Sequence, residues 1–332
     1  MRLRDEKVVF LFGSPRSGTS WIAKIFNSHP GVLYRHEPDT VLRNAKLPNL
    51  CSQEDVTHYC EQAREYLLEL LDVRTLKSAG LLPLLAKTYR SWPAEKLHNS
   101  VIYALHFADL ISRGNPWVRK ISIPDFVGDA EPLVVMKSVG AGGRARVFAN
   151  ALPGSRLIYI LRHPCGQVAS MVRGIRAGKL KPIKEHDAIL ESEEARKIFG
   201  ASRKAFRDLS PIEEWAWHWA IVNQKALNDL DAMERSRVHI LRYEDACAEP
   251  ERIAKELLAF AGLDWNPQTE AFLRDSTMDD GAEGYFDTRR DPMQAANRWR
   301  ERLTGREQEQ ILNIVGHVPA GQMFLEDLAR AG

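Results

Sequence analysis

Only four cysteines occur in the 332 residues, Cys51, Cys60, Cys165 and Cys247. None forms a C-x-x-C pair or has metal-ligand spacing to a nearby histidine, which excludes the common zinc modules and a disulfide framework. Reduced thiols in a cytoplasmic protein are the expectation. An excess of one charge is lacking too: 46 Lys and Arg face 44 Asp and Glu, a formal +2. That balance argues against a nucleic-acid binder, so any anion site must come from local clustering. No apolar run approaches the ~20 residues that span a bilayer, so no transmembrane segment is expected. With only the polar MRLRDEK ahead of Val8, no signal peptide is expected.

What is present is the alternation of an α/β protein. KVVFLF is a short apolar run without polar alternation, the pattern of a strand buried on both faces. LVVM (133–136), LIYIL (157–161) and VHIL (238–241) share that character, and a helical pattern follows each. The clearest is ERIAKELLAFAGL, with Ile253, Leu257, Leu258 and Phe260 on one side and Gly262 at its end. Strands alternating with helices imply a parallel sheet flanked by helices on both faces. Two segments interrupt the rhythm: a helical insertion over about 41–115, and a charged, weakly periodic stretch, 178–210, which reads as a surface helix pair or a lid. With no repeat or linker between them, one domain over 1–332 is expected.

The chemistry starts at FLFGSPRSGTSW, residues 10–21. A strand, a glycine loop and a helix surround one anion with backbone N–H groups and a positive helix end. Gly13 and Gly18 have the P-loop spacing, but Thr19 stands where a nucleoside-triphosphate site carries lysine, and Arg16 lies inside the loop instead. LVVM runs into Lys137 and LIYIL into Arg162, cations where an NTPase places a magnesium-holding aspartate. A ligand with one 5′-phosphate and a second anionic group suits this loop better than a triphosphate.

These residues resemble the sulfotransferases that use 3′-phosphoadenosine 5′-phosphosulfate (PAPS), nearer the bacterial, carbohydrate and tyrosylprotein branches than the cytosolic aryl branch. GSPRSGTSW is similar to their first signature, RLIYILRHPCGQVASM to their second, and LRYEDACAEPERIAKELLAFAGL to a third strand-and-helix motif. The resemblance covers 8–38, 133–176 and 237–263. It implies a P-loop-type fold and in-line sulfuryl transfer to a hydroxyl or amine of a small-molecule, carbohydrate or lipid acceptor. The product would be 3′-phosphoadenosine 5′-phosphate (PAP), with no metal required. Ser14, Pro15, Arg16, Ser17, Gly18, Thr19 and Ser20 would hold the 5′-phosphate, with Arg16 also meeting charge on the leaving oxygen. Arg162 and Ser170 would hold the 3′-phosphate, although Arg162 could instead cap a carboxylate, and Arg173 is a further donor to consider. Trp21 would stack on adenine or pack in the core. The stretch near Trp299, with Arg289, Arg290, Arg298 and Arg300, would close over the nucleotide, but it lacks the aryl-type Gly and spacing.

A general base is also needed. SHPGVLYRHEPD delivers His36 and Glu37 from a short strand toward the sheet's carboxyl edge. The resemblance favours Glu37, with His36 or a structural HEP turn as alternatives. In WAWHW, Trp215 and Trp219 share one helix face and His218 reads as packing. Two rival readings are a small-molecule kinase using ATP and a nucleotide-binding module without catalysis.

Overall fold

The computed structural model describes residues 4–44, 46–180, 189, 195–197, 209–278 and 291–331. Most of the 178–210 lid expectation, and Arg289 and Arg290, lie outside them. Five parallel strands, β1 (Val8–Gly13), β2 (Val32–His36), β3 (Leu133–Ser138), β4 (Arg156–Leu161) and β5 (Val238–Arg242), form one sheet in the order β2-β3-β1-β4-β5. The uninterrupted apolar runs are central strands, with every residue of β1 and β3 buried. Alternation decides the two faces. Val8, Phe10 and Phe12 join Phe148 and Trp219 on one side, while Val9 and Leu11 join Ile22, Phe26 and Leu257 on the other.

The flanking helices follow from the same patterning. Helix α1 (Thr19–Ser28) buries Ile22, Ile25 and Phe26 against the sheet. Insertion 41–115 contains α2 (Cys60–Leu71), α3 (Leu76–Ala79) and α4 (Trp92–Ile111), and α5 (Pro116–Arg119) follows it. Leu76, Ile102, Leu105 and Ile123 give this region a small core of its own. Helix α6 (Pro164–Arg176) follows β4, and α7 (Pro211–Asp231) starts at a capping box between Ser210 and Glu213. Helix α8 (Pro250–Phe260) follows β5 and buries Ile253, Leu257 and Leu258.

The sheet changes direction of growth at β1: the chain builds β2 and β3 to one side, then crosses to β4 and β5. Open α/β sheets bind ligands at the carboxyl ends of the strands at such a point. The loop of residues 14–18 occupies it. Gly18 has φ +94°, and a Cβ there would lie 2.2 Å from Tyr243 Cδ2. Gly178, also left-handed at φ +64°, has nothing within 4 Å of its Cβ position. Gly178→Ala should therefore cost only about 1–2 kcal/mol. Gly18→Ala adds the steric conflict, a further ~1–3 kcal/mol, and should lower the melting temperature clearly more. Equal losses in a thermal melt would show that Tyr243 does not constrain the loop.

Candidate functional site

The loop is a tight turn lined with backbone amides and hydroxyls. The Ser17 amide donates to the Ser14 carbonyl at 3.1 Å, closing a turn that places Arg16 at φ +70°. Such strain in a non-glycine residue persists where the surroundings over-determine it. Ser14 Oγ is held by Asn223 Oδ1 at 3.2 Å, which also accepts from the Tyr159 hydroxyl at 2.9 Å. Ser17 Oγ is buried with no partner among the described residues. An orphaned buried hydroxyl costs free energy, and a phosphate oxygen is the partner that a loop of amides and hydroxyls accommodates. Thr19 and Ser20 open α1 beside it.

Arg16 meets Arg162 and Ser170, each more than 140 residues further along the chain, beside the loop. Arg16 Nε donates to Ser170 Oγ at 3.0 Å, and Arg162 Nη1 to the Arg16 carbonyl at 2.9 Å. Arg162 Nη2 donates to the Ala295 carbonyl at 3.0 Å, its guanidinium lies 4.6 Å from the Tyr243 ring centroid, and its buried Nε has no partner among the described residues. The buried Glu244 carboxylate beside it accepts from the His163 amide at 3.0 Å. Arg173 is exposed.

The C-terminal stretch packs against this cluster. Trp299 stacks on His163 at 4.4 Å, and Arg300 lies 4.6 Å from the Trp299 ring centroid. Arg298 donates to Gln294 within its own turn. Trp21 is 6% exposed, donates from Nε1 to Ser276 Oγ at 3.1 Å and meets Tyr243 edge-on, so its indole sits in the core. Trp215 and Trp219 are buried in α7, and Trp219 Nε1 donates to the Arg162 carbonyl at 3.0 Å.

The other side of the loop holds a charge cluster. β2 delivers His36 and then Glu37, whose φ of +43° is again left-handed. In the β2–β3 register His36 stands opposite Lys137. Lys137, 1% exposed, donates through Nζ to Glu37 Oε1 and lies 3.4 Å from Ser20 Oγ. Lys77 of α3 lies 3.3 Å from Glu37 Oε2. Burial alone pushes the Glu37 carboxyl up, but Lys137, His36 and Lys77 outweigh it and hold it at about 2. Burial and then Lys137 push the His36 imidazole down to about 3. His36 is thus neutral near pH 7, with Nδ1 2.7 Å from the Tyr34 hydroxyl.

Lys137 was legible as a strand-end cation, yet only the register shows that it bridges the loop and Glu37. Asp39 was not singled out at all. Its Oδ2 accepts from Ser138 Oγ at 2.5 Å, and its Oδ1 has no partner among the described residues. Burial, opposed by the Ser138 bond, pushes its carboxyl up. A cavity of about 500 Å³ opens beside these groups, lined by Pro15, Asp39, Arg43, Asn49, Tyr66 and His218 among others. The described residues hold no cluster of His, Cys, Asp or Glu able to bind a metal ion, and no described helix is long and apolar enough to cross a membrane.

Two outcomes follow from this geometry. If Arg162 and Ser170 hold a 3′-phosphate, as the resemblance implies, PAP should bind more than tenfold tighter than 5′-AMP, since charged hydrogen bonds contribute about 1.5–3 kcal/mol each. Arg162→Ala should erase most of that difference in a thermal-shift titration; equal affinities in the unaltered protein would remove the second phosphate site. The pH dependence has a definite sign. A depressed carboxyl pKa stabilises the fold above the ordinary value of 4.5, and that contribution is lost as pH falls toward about 2. Lys137→Met should raise the Glu37 pKa, read by carbonyl NMR, and an unmoved Glu37 would show that Lys137 does not set it.

The chain matches the model of the Sulfotransferase family over residues 8–267. Carbohydrate sulfotransferase 2 of Mus musculus and of Homo sapiens are each 22% identical to it over 338 residues, 92% of this chain. The chain spans 62% of the length of these curated relatives. Among solved structures it is similar to the sulfotransferase domain from the curacin biosynthetic pathway, 17% identical, covering 95% of this chain and 99% of that one, with a TM-score of 0.46. Mouse sulfotransferase SULT7A1 complexed with PAP is 12% identical, covering 97% of this chain and 89% of that one, with a TM-score of 0.44.

Proposed function

From the premise that the chain belongs to the sulfotransferase family, we propose that it transfers a sulfuryl group from PAPS to a hydroxyl or amine acceptor. The observation that carries this reading is the joined pair of anion sites: a lysine-less phosphate loop with an orphaned Ser17 hydroxyl, linked through Arg16 to Ser170 and Arg162. PAPS would supply the activated sulfuryl group and a 3′,5′-diphosphate leaving group. The amides and hydroxyls of residues 14–20 would hold the 5′-phosphate, and Arg162 and Ser170 the 3′-phosphate. Arg298 and Arg300 are candidates to cover it.

Within this reading two roles shift. Arg16 is drawn toward Ser170, so we assign it to phosphate binding on that side. Lys137 instead stands between Ser20 and Glu37, and we assign it the charge that develops during transfer, the kind of preorganised stabilisation that contributes most to such reactions. Glu37 is the proposed base. A carboxylate held at about 2 accepts a proton poorly. Drawing Lys137 toward an anion in the loop would relieve that and let Glu37 rise toward its ordinary range. Neutral His36 is the less favoured base and would support Glu37 and Tyr34. The cavity would seat the acceptor, and its Asp39, Asn44 and Asn49 suit a polyhydroxylated molecule. The name of the curated relatives supports a carbohydrate in that class.

Glu37→Gln keeps the side chain's shape but cannot take a proton. Turnover in a labelled-PAPS assay should fall by roughly 10²–10⁴, the contribution of a positioned base, while PAP binding holds. A large defect in His36→Asn with Glu37→Gln nearly intact would move the base to His36. PAP binding that survives a metal chelator separates this reading from an ATP-dependent kinase; its loss on chelation would favour the kinase.

A further inference from the structure

A group of exposed apolar side chains lies on the hairpin formed by α4 and α5. Trp92, Tyr103, Phe107, Leu110, Ile111 and Trp117 are between 57 and 80% exposed. Tyr103, Phe107, Leu110 and Ile111 fall at i, i+4, i+7 and i+8, one face of α4. The same helix buries Ile102 and Leu105 on its other side, so the exposed stripe is not a core face turned outward by mistake of register. Arg119 of α5 pairs with Asp109 at 2.7 Å and ties α5, with Trp117, to the last turns of α4. Contiguous apolar surface of this kind marks an interaction site.

The charges around the stripe select its partner. Between Trp92 and Ile121 the acids are Glu95 and Asp109, each paired with an arginine, Arg90 and Arg119. Lys96, Arg113 and Lys120 add positive charge on the exposed side. Lys96 lies 5.8 Å from the Trp92 ring centroid and Lys120 6.0 Å from that of Trp117, so a tryptophan with a lysine over it stands at each end of the hairpin. A second copy of this face would set positive against positive. An anionic lipid surface complements it, with apolar side chains entering the acyl boundary, tryptophans at headgroup level and lysines reaching phosphates.

We propose that the α4–α5 hairpin docks the protein on anionic lipid bilayers, lying on the surface without crossing it. His106 Nε2 lies 2.8 Å from the Gly80 carbonyl, next to α3, so the docked hairpin rests on the element whose Lys77 pairs with Glu37. Docking would thus set the candidate site's α3 flank beside the lipid-bound element.

The test is co-sedimentation of the full chain with phosphatidylcholine vesicles, with and without phosphatidylserine. The unaltered protein should pellet with the phosphatidylserine vesicles and several-fold less with phosphatidylcholine alone. Phe107→Glu with Leu110→Glu should cut binding by about tenfold or more while leaving PAP affinity unchanged, which keeps this outcome separate from that of the sulfuryl-transfer reading. Lys96→Glu with Lys120→Glu alters only exposed charges and should abolish the phosphatidylserine preference, so the proposal stays testable if the first variant misfolds. Protein that stays in the supernatant with both vesicles overturns the proposal. So does a dimer in analytical ultracentrifugation that Phe107→Glu with Leu110→Glu dissociates while vesicle binding persists.

Discussion

A lysine buried at the carboxyl end of a central strand must be compensated, because an uncompensated buried charge costs several kcal/mol. Lys137 is so placed, and its compensation is Glu37, brought across from the edge strand by the β2–β3 register. Much else follows from that pair. Glu37 accepts a left-handed backbone and Lys77 is drawn in from α3. His36, beside two lysines and buried, is kept neutral. The pair also stands between the loop and the cavity, since Lys137 reaches Ser20 on one side and Glu37 on the other.

The other side of the loop gathers two arginines. Arg162 reaches two carbonyls and a tyrosine face beside the Glu244 carboxylate, and Arg16 reaches Ser170. The crevice therefore has two halves of different character: arginines gathered beside the loop, and a Lys137–Glu37 pair that balances charge beside the cavity.

The first half was legible in the sequence because its signals are local. β1, the loop and α1 are contiguous, and Arg162 and Ser170 are eight residues apart on one strand–helix connection, within the stretch RLIYILRHPCGQVASM that carries the resemblance. The uninterrupted runs at 133–136 and 157–161 read as central strands for the same reason. The second half depends on which strands are neighbours. Nothing in the sequence pairs Glu37 with Lys137, a hundred residues away, until β2 is known to lie against β3. Asp39 escaped notice because an Asp after HEP reads as a turn residue. Trp21 follows the signature that suggests base stacking, yet Ser276 and Tyr243 enclose it from distant parts of the chain. The hairpin's apolar stripe was hidden by reading 41–115 only as helical, since buried and exposed faces of an amphipathic helix look alike until its partner is known.

The claim that Lys137 is shared between the phosphate loop and Glu37 is tested most directly by following the Glu37 carboxyl through a pH titration by NMR, without and with saturating PAP. If an anion in the loop draws Lys137 away, the Glu37 pKa should rise from about 2 by about one unit or more, the shift expected when an opposite charge at contact distance is withdrawn. A Glu37 pKa that stays in place, or falls, with PAP bound would contradict the account.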